Sequence, residues 1–260
     1  MKPPDDPPAD SRAETPEAPP GASASGLSPK AARTRAHILE TALRVLRERG
    51  YEGATMRLIA EEAGVAVGSA YYYFPSKDHL IQGFYAQLHV DHLAAVGPLL
   101  EGSKSLDERL AAVMRTKFET AAPYHGFSGA LFKTAADPDS PLSPFSADSG
   151  PTRDESKALF RSVVDGAGLR KRSPLHAKLH ELLWLYQMGL ILYWIHDRSP
   201  GQERSYRLVD RTVPIVCRLV RLASNPLLTP VVKPALALME EFCGPAPRAH
   251  GGSEPGTSPS

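Results

Sequence analysis

Between Thr55 and Leu80 the chain reads TMRLIAEEAGVAVGSAYYYFPSKDHL. The residue types in this stretch suit one kind of chemistry, hydrogen bonding to a polyanion and to the edges of its bases. Thr55, Ser69, Tyr71, Tyr72 and Tyr73 carry hydroxyls, and Arg57 and Lys77 carry fixed positive charge. Such groups hold phosphate oxygens, and an arginine can take a guanine edge with two parallel bonds. Tyrosine rings add apolar surface for sugars or thymine methyls. Elsewhere no nucleophile–base constellation, phosphate-binding glycine loop or metal-ligand cluster stands out, so neither catalysis nor a cofactor is expected. The i,i+4 pair His176 and His180, with Glu181 adjacent, lacks the HExxH arrangement and a third ligand, so no metal is expected there.

These groups need elements to position them. Ile59, Ala60 and Ala63 share one face of a short helix beginning at Met56, with Thr55 as its cap. Gly64 supplies a sharp stop because a residue without Cβ takes positive φ at no steric cost. Val65 is expected to turn into the core, and a second short helix runs from about Val67 to Phe74. Ala70 and Phe74, at i and i+4, point inward and leave Tyr71 and Tyr72 outward. Two short helices crossing through a tight turn with a small residue at the crossing form a helix-turn-helix. A preceding helix, Lys30 to Glu48, starts after the Ser28–Pro29 cap signal and stops at Gly50. A following helix restarts at Ser76 and carries Leu80, Ile81, Phe84 and Leu88 on one stripe.

Bulk charge is uninformative: 30 Lys and Arg stand against 29 Asp and Glu, a net charge of +1. Its distribution is not. From Lys30 to Arg57 there are seven basic residues and three acidic ones, a local excess of four beside the motif. The two cysteines, Cys217 and Cys243, cannot define a disulfide framework. The most apolar run, Leu182 to Ile195, is too short and too interrupted by Gln187 to span a bilayer. The amino terminus lacks the apolar core of a secretory signal, so a cytoplasmic protein with no membrane partner is expected.

Taken together, a basic first helix followed by Gly50, Thr55, Ile59, Ala60, Gly64, Val65, Gly68, Tyr71, Phe74, Lys77 and Leu80 at these spacings resembles the TetR family of bacterial transcriptional repressors. The resemblance covers roughly Lys30 to Leu88. It implies an all-α protein, with an N-terminal three-helix DNA-binding domain followed by a larger helical ligand-binding and dimerisation domain. It also implies DNA contacts from Lys30, Arg33 and Arg35 on the chain entering the first helix, from Thr55 and Arg57, from Val67, Gly68 and Ser69 at the tip of the reading helix, from Tyr71, Tyr72 and Tyr73, and from Lys77. With Val67 and Gly68 at its tip the reading helix offers few polar groups, which shifts weight to methyl contacts and DNA shape. For Arg44 and Arg47 a solvated face is expected.

The domain boundaries expected are a tail at 1–28, the DNA-binding domain at 29–88, the effector and dimerisation domain at 89–243, and a second tail at 244–260. Both tails are rich in small and polar residues and are expected to be disordered. Helices are expected at Leu106–Ala121, Arg153–Ala167, Leu175–His196, Glu203–Ala223 and Lys233–Phe242, with a long Pro- and Ser-rich connection at 137–151. The helix Leu175–His196 is apolar almost all round, which marks a central helix. Its Trp184, Gln187 and Tyr193 are the candidates to line a pocket for a largely apolar small-molecule effector. Tyr206, Val209, Val213, Val216 and Val220 form a stripe for a homodimer. A two-fold protein suits a pseudo-palindromic double-stranded operator with reading helices about 34–36 Å apart. Two rival functions are a constitutive DNA-binding regulator without an effector and an enzyme docked through its helix-turn-helix.

Overall fold

In the computed structural model, residues 27–137, 139–169 and 173–243 are described. The tails expected at 1–28 and 244–260 lie outside them, apart from Leu27 and Ser28. The secondary structure of the described residues is helical, with no strand among them. Ten α-helices follow in order: α1 (Pro29–Gly53), α2 (Met56–Glu62), α3 (Val67–Tyr73), α4 (Lys77–Glu101), α5 (Leu106–Ala121), α6 (His125–Ala135), α7 (Gly150–Gly166), α8 (Pro174–His196), α9 (Glu203–Ala223) and α10 (Thr229–Cys243). No single helix among the described residues is long and apolar enough to cross a membrane.

The chain forms two compact units. The first holds residues 27–87 and 124–149, the second 88–123 and 150–243. The sequence pattern assigns everything beyond residue 88 to the larger domain and shows no sign of α6. In the structure α6 packs on α1. Tyr124 and Phe127 meet Phe84 ring against ring, at centroid distances of 4.8 and 6.0 Å, so aromatic packing draws 124–149 into the first unit.

In the first unit, Ser28 caps α1 by accepting from the Ala31 amide at 3.3 Å, with Pro29 in the first turn. Gly50, at φ +72°, interrupts the helix, and a last turn, Tyr51–Gly53, follows it. Ile38, Ala42, Leu46, Ile59, Ala60, Ala70 and Phe74 are all but fully buried, forming a neutral, apolar core. In the second unit α7 and α8 form a hairpin, and α5 packs on both and on α9. Its core includes Leu110, Val113, Phe118, Phe160, Leu179, Leu183, Trp194 and Val209.

Candidate nucleic-acid interface

The turn between α2 and α3 is built from backbone hydrogen bonds. The Gly64 amide donates to the Glu61 carbonyl and the Val65 amide to the Ala60 carbonyl, each at 3.0 Å. This is the paired pattern of a helix ending on a left-handed residue, with Gly64 at φ +63°. A Cβ at Gly64 would meet nothing within 4 Å, so the backbone angle and not crowding requires glycine. The His37 ring donates from Nε2 to the Ala63 carbonyl at 3.1 Å, tying α1 to the end of α2. Val65, expected in the core, is only half-buried. Its amide holds the turn while its side chain stays at the rim.

This frame presents an outward face. Thr55 caps α2 by accepting from the Leu58 amide at 3.2 Å, and its hydroxyl hydrogen remains available. Arg57 is exposed while its neighbour Met56 is buried. Ala66, at the start of α3, offers no capping side chain, so the amides of Val67 and Gly68 have no intrahelical acceptor. Val67, Gly68 and Ser69 are exposed, and open space surrounds Gly68. Tyr71 is 48 % exposed and Tyr72 59 %. Tyr73 is half-buried and meets Tyr72 edge to face, with centroids 5.1 Å apart. Ala70 and Phe74 lie inside beneath this surface.

Other candidates are placed differently. Because the helix begins at Pro29, Lys30, Arg33 and Arg35 lie in its first two turns and not on an extended arm. Lys30 and Arg33 are exposed. Arg35 instead stacks its guanidinium 4.6 Å over the Phe74 ring, and burial lowers its pKa. That position stitches α1 to the end of α3 and removes Arg35 from the open surface. Lys77 donates to the Tyr51 carbonyl at 2.9 Å, with its ammonium 3.7 Å from the centre of the Tyr51 ring. Tyr51 in turn donates to Asp78 at 3.2 Å. Lys77 therefore anchors the start of α4, with only its remaining protons free for a phosphate. Ser76 caps α4 from the same corner, accepting from the His79 amide at 3.3 Å. Arg44 pairs with Glu62 at 2.8 Å, and Arg47 lies over Tyr124 at 5.8 Å. Spacing does not reveal Tyr51 or His37, because both act through contacts made 26 residues away along the chain.

In the second unit Trp184 and Gln187 are buried, at 4 % and 3 % exposed, whereas Tyr193 is 43 % exposed. The nine residues from Trp184 to Tyr193 amount to two and a half turns at roughly 3.6 residues per turn. The two rings thus lie on opposite sides of α8, and the three residues line no common pocket. Residues not singled out by motif occupy the interior instead. The His92 ring donates from Nε2 to the Val113 carbonyl at 3.0 Å, and burial followed by the nearby Lys117 charge lowers its pKa to about 3. His89 sits one turn earlier, equally buried. The His-x-x-His spacing was the available signal. Among the described residues no group of His, Cys, Asp and Glu is arranged to hold a metal ion. His176 lies 3.7 Å from Asp165 and His180 bonds Arg161 at 3.1 Å. The valines expected to form a dimer stripe, Val209, Val213 and Val220, are buried within the unit, and α9 exposes Ile215, Leu219 and Leu222 instead.

Two family models match the chain. Residues 38–83 match the one described as bacterial regulatory proteins of the tetR family, and residues 109–238 match the tetracyclin repressor-like C-terminal domain. The HTH-type transcriptional repressor KstR of Mycolicibacterium smegmatis is 51 % identical over 47 residues, which is 18 % of this chain and 23 % of that protein. The HTH-type transcriptional regulator TtgR of Pseudomonas putida is 43 % identical over 67 residues, 25 % of this chain and 32 % of its own length. The chain thus spans a quarter to a third of these curated relatives. Among solved structures, a TetR-family regulator from Syntrophomonas wolfei aligns with a TM-score of 0.56 at 18 % identity, covering 71 % of this chain and 95 % of that one. FadR of Thermus thermophilus, a TetR-family repressor in complex with lauroyl-CoA, aligns at 0.52 and 22 % identity, covering 69 % and 92 %. At these identities the likeness is one of fold.

Proposed function

The chain belongs to the TetR family of bacterial DNA-binding regulators, and from that premise we propose that it is a dimeric transcriptional repressor released from a pseudo-palindromic operator by a small-molecule effector. The observation that carries the DNA-binding half is the outer face of α2 and α3. Arg57, Ser69, Tyr71 and Tyr72 stand in solvent above a core in which Ala60, Ala70 and Phe74 are closed off. Thr55 and the first amides of α3 face phosphates, the tip residues Val67 and Gly68 allow close approach to base edges, and Tyr71 and Tyr72 bond the backbone or pack on methyls. Lys30 and Arg33 add phosphate contacts. Protection of operator DNA by such a protein falls steeply with salt, because each neutralised phosphate releases counterions.

The surface of the second unit supports the dimeric reading. α8 turns Leu192 and Tyr193 outward, and α9 turns out Ile215, Leu219 and Leu222. Apolar rows of that kind on two helices are the surfaces that a symmetric partner covers. Effector control is then a population shift, in which a ligand in the second unit favours an arrangement whose reading heads no longer match the operator spacing. Action on chromosomal DNA locates the protein in the cytoplasm. Genome-wide footprinting, followed by gel-shift assays on the recovered sites, tests the reading. Two-fold sites bound in a salt-dependent manner are expected, and the absence of any protected site sinks the proposal.

A further inference from the structure

Phe74 ends the reading helix, and what holds its ring decides where that helix points. Its backbone leaves the helical region, at φ −139° and ψ 96°, while its amide still donates to the Ala70 carbonyl at 2.9 Å. The side chain is 1 % exposed. α3 is 7 residues long, roughly 10 Å at about 1.5 Å per residue. A helix so short moves as one body. Phe74 is therefore the inner end of a lever whose outer end carries Val67, Gly68 and Ser69.

Two other helices of the same unit hold the ring. α4 is notched at the buried Gly83: a Cβ there would stand 3.0 Å from Phe74 Cε1 and 3.4 Å from Arg35 Nη2. Carbon atoms in ordinary contact lie about 3.5–4.0 Å apart, so the edge of the ring fills room that any side chain would take. From α1, Arg35 lies over the ring, its guanidinium carbon 4.6 Å from the centroid. The Arg35 Nε is buried there without a hydrogen-bond partner. A donor left unpaired on a charged group is costly, and stacking of the planar guanidinium on the aromatic face offsets that cost. Lys30 and Arg33, on the same helix, stand exposed. Arg35 differs from them in directing its charge onto the ring that ends the reading helix.

We propose that Arg35 and Gly83 are positioning residues for DNA recognition, which together seat Phe74 and so set the angle at which α3 presents its tip to base edges. On the reading of α3 as the DNA-contacting helix, on which this rests, neither residue touches a base. Recognition groups must be held within about 0.5 Å of their productive geometry, and relieving the contact of a Cβ at Gly83 takes a shift of about that size. Phosphate contacts tolerate such a shift, because long flexible side chains re-form them. Loss of the seat thus removes sequence-specific binding and spares non-specific binding.

The test uses the full chain as wild type, Gly83→Ala and Arg35→Met, with Arg33→Met as the control for a phosphate contact. Binding is measured over a range of salt concentrations, to the operator duplex recovered by footprinting and to a duplex of shuffled sequence. In Gly83→Ala and Arg35→Met the preference for operator is expected to fall roughly tenfold or more, with shuffled-duplex binding and its salt slope unchanged. Arg33→Met is expected to weaken both duplexes alike and to reduce the slope by about 0.9. A preference retained in the folded variants overturns the proposal. So does an Arg35→Met that behaves as Arg33→Met does, which makes Arg35 a phosphate contact. Circular dichroism melts establish folding. Gly83→Ala gains helix propensity and decides the matter if Arg35→Met does not fold. A wild type without any preference between the duplexes overturns the reading of α3 itself, whereas a preference that both variants keep overturns only the seat.

Discussion

The two units distribute polarity in opposite senses. The first keeps a neutral core and sets Arg57, Ser69, Tyr71 and Tyr72 at its surface. The second draws His89, His92, Arg109, Gln187 and Asp197 inside and turns Ile215, Leu219 and Leu222 outward. A surface meant for a polyanion must show its donors, and a closed core beneath it holds them rigidly. A unit proposed to enclose a ligand and cover a second copy can do the reverse. Polar groups inside are costly unless satisfied, so each interior group is either a structural tie or a site. Arg109 and Asp197 are ties, whereas Nε2 of His89 and Nε2 of Gln187 have no hydrogen-bond partner.

The largest expected effect tests the tie at Arg109. This buried guanidinium donates to Ser162 at 2.9 Å, Val163 at 3.1 Å and Ser103 at 2.8 Å, and also to Leu100, all through backbone carbonyls. It thereby ties together the C-terminal ends of α4 and α7, where the last carbonyls, among them Leu100 and Val163, lack intrahelical partners. Arg109→Met removes four hydrogen bonds from a buried position, and destabilisation of at least about 3 kcal/mol is expected. Both tryptophans, Trp184 and Trp194, lie in the second unit, so their fluorescence during urea unfolding reads that unit directly. Gly166→Ala should act in the same direction, since a Cβ there would lie 2.4 Å from the guanidinium. An unchanged midpoint in Arg109→Met would remove the claim that this arginine holds two helix ends.

The outward apolar rows give the next effect. Leu219→Glu places a charge in the middle of the proposed dimer face, and a loss of association of about 2 kcal/mol or more is expected. Sedimentation should show monomers at concentrations where the wild type is dimeric, with tryptophan unfolding of the monomer little changed. A variant that stays dimeric moves the interface elsewhere.

Two substitutions on the reading head separate surface from scaffold. Tyr72→Ala should cost about 1–3 kcal/mol of operator affinity and leave the unfolding of the first unit unchanged. Lys77→Ala should lower the stability of the first unit by about 1 kcal/mol through the lost cation–π contact and the bond to Tyr51, with affinity falling as a consequence. Circular dichroism melts beside gel shifts distinguish the two. Equal melts for both variants would return Lys77 to the phosphate-binding set.

The reading head was legible in the sequence because its signals are local. Thr55, Gly64, Ala70 and Phe74 act within a few residues of where they stand, through caps, φ angles and helical phase. α5 and α9 were legible for the same reason, with clean periodicity between turn residues. What escaped depends on distant packing. α6 joins the first unit through rings on Phe84, Tyr124 and Phe127 that no spacing connects. Arg35 and Lys77 read as free cations because nothing nearby in sequence names Phe74 and Tyr51 as their partners. On α9 a helix that is apolar on two sides leaves open which side is inside, and the valines took the core while Ile215, Leu219 and Leu222 face out. Trp184 and Tyr193 are both aromatic, and only helical phase reveals that they oppose each other.

The smallest effect concerns the corner between α8 and α9, where a buried carboxylate should be felt through pH. Asp197 accepts from the Ser199 amide and hydroxyl at 2.9 and 2.7 Å, and from the Ser205 amide and hydroxyl at 2.8 and 2.7 Å. Burial alone would raise its pKa, but these four donors outweigh that and hold it at about 2. The folded state thus binds the proton less readily than the unfolded chain, whose aspartate titrates near about 3.9. The stabilisation from this group is therefore complete above about pH 4 and is lost as the pH falls through about 2. Asp197→Asn keeps the size and one acceptor but not the charge, and should cost about 1 kcal/mol near neutrality, as for a lost helix cap. Urea midpoints read by tryptophan fluorescence should differ between wild type and variant at pH 6, and the gap should narrow steeply toward about pH 2, where half of the folded wild-type carboxyl is protonated. A gap that does not narrow between pH 6 and pH 2 would mean that the shape of the side chain, and not its charge, holds the corner.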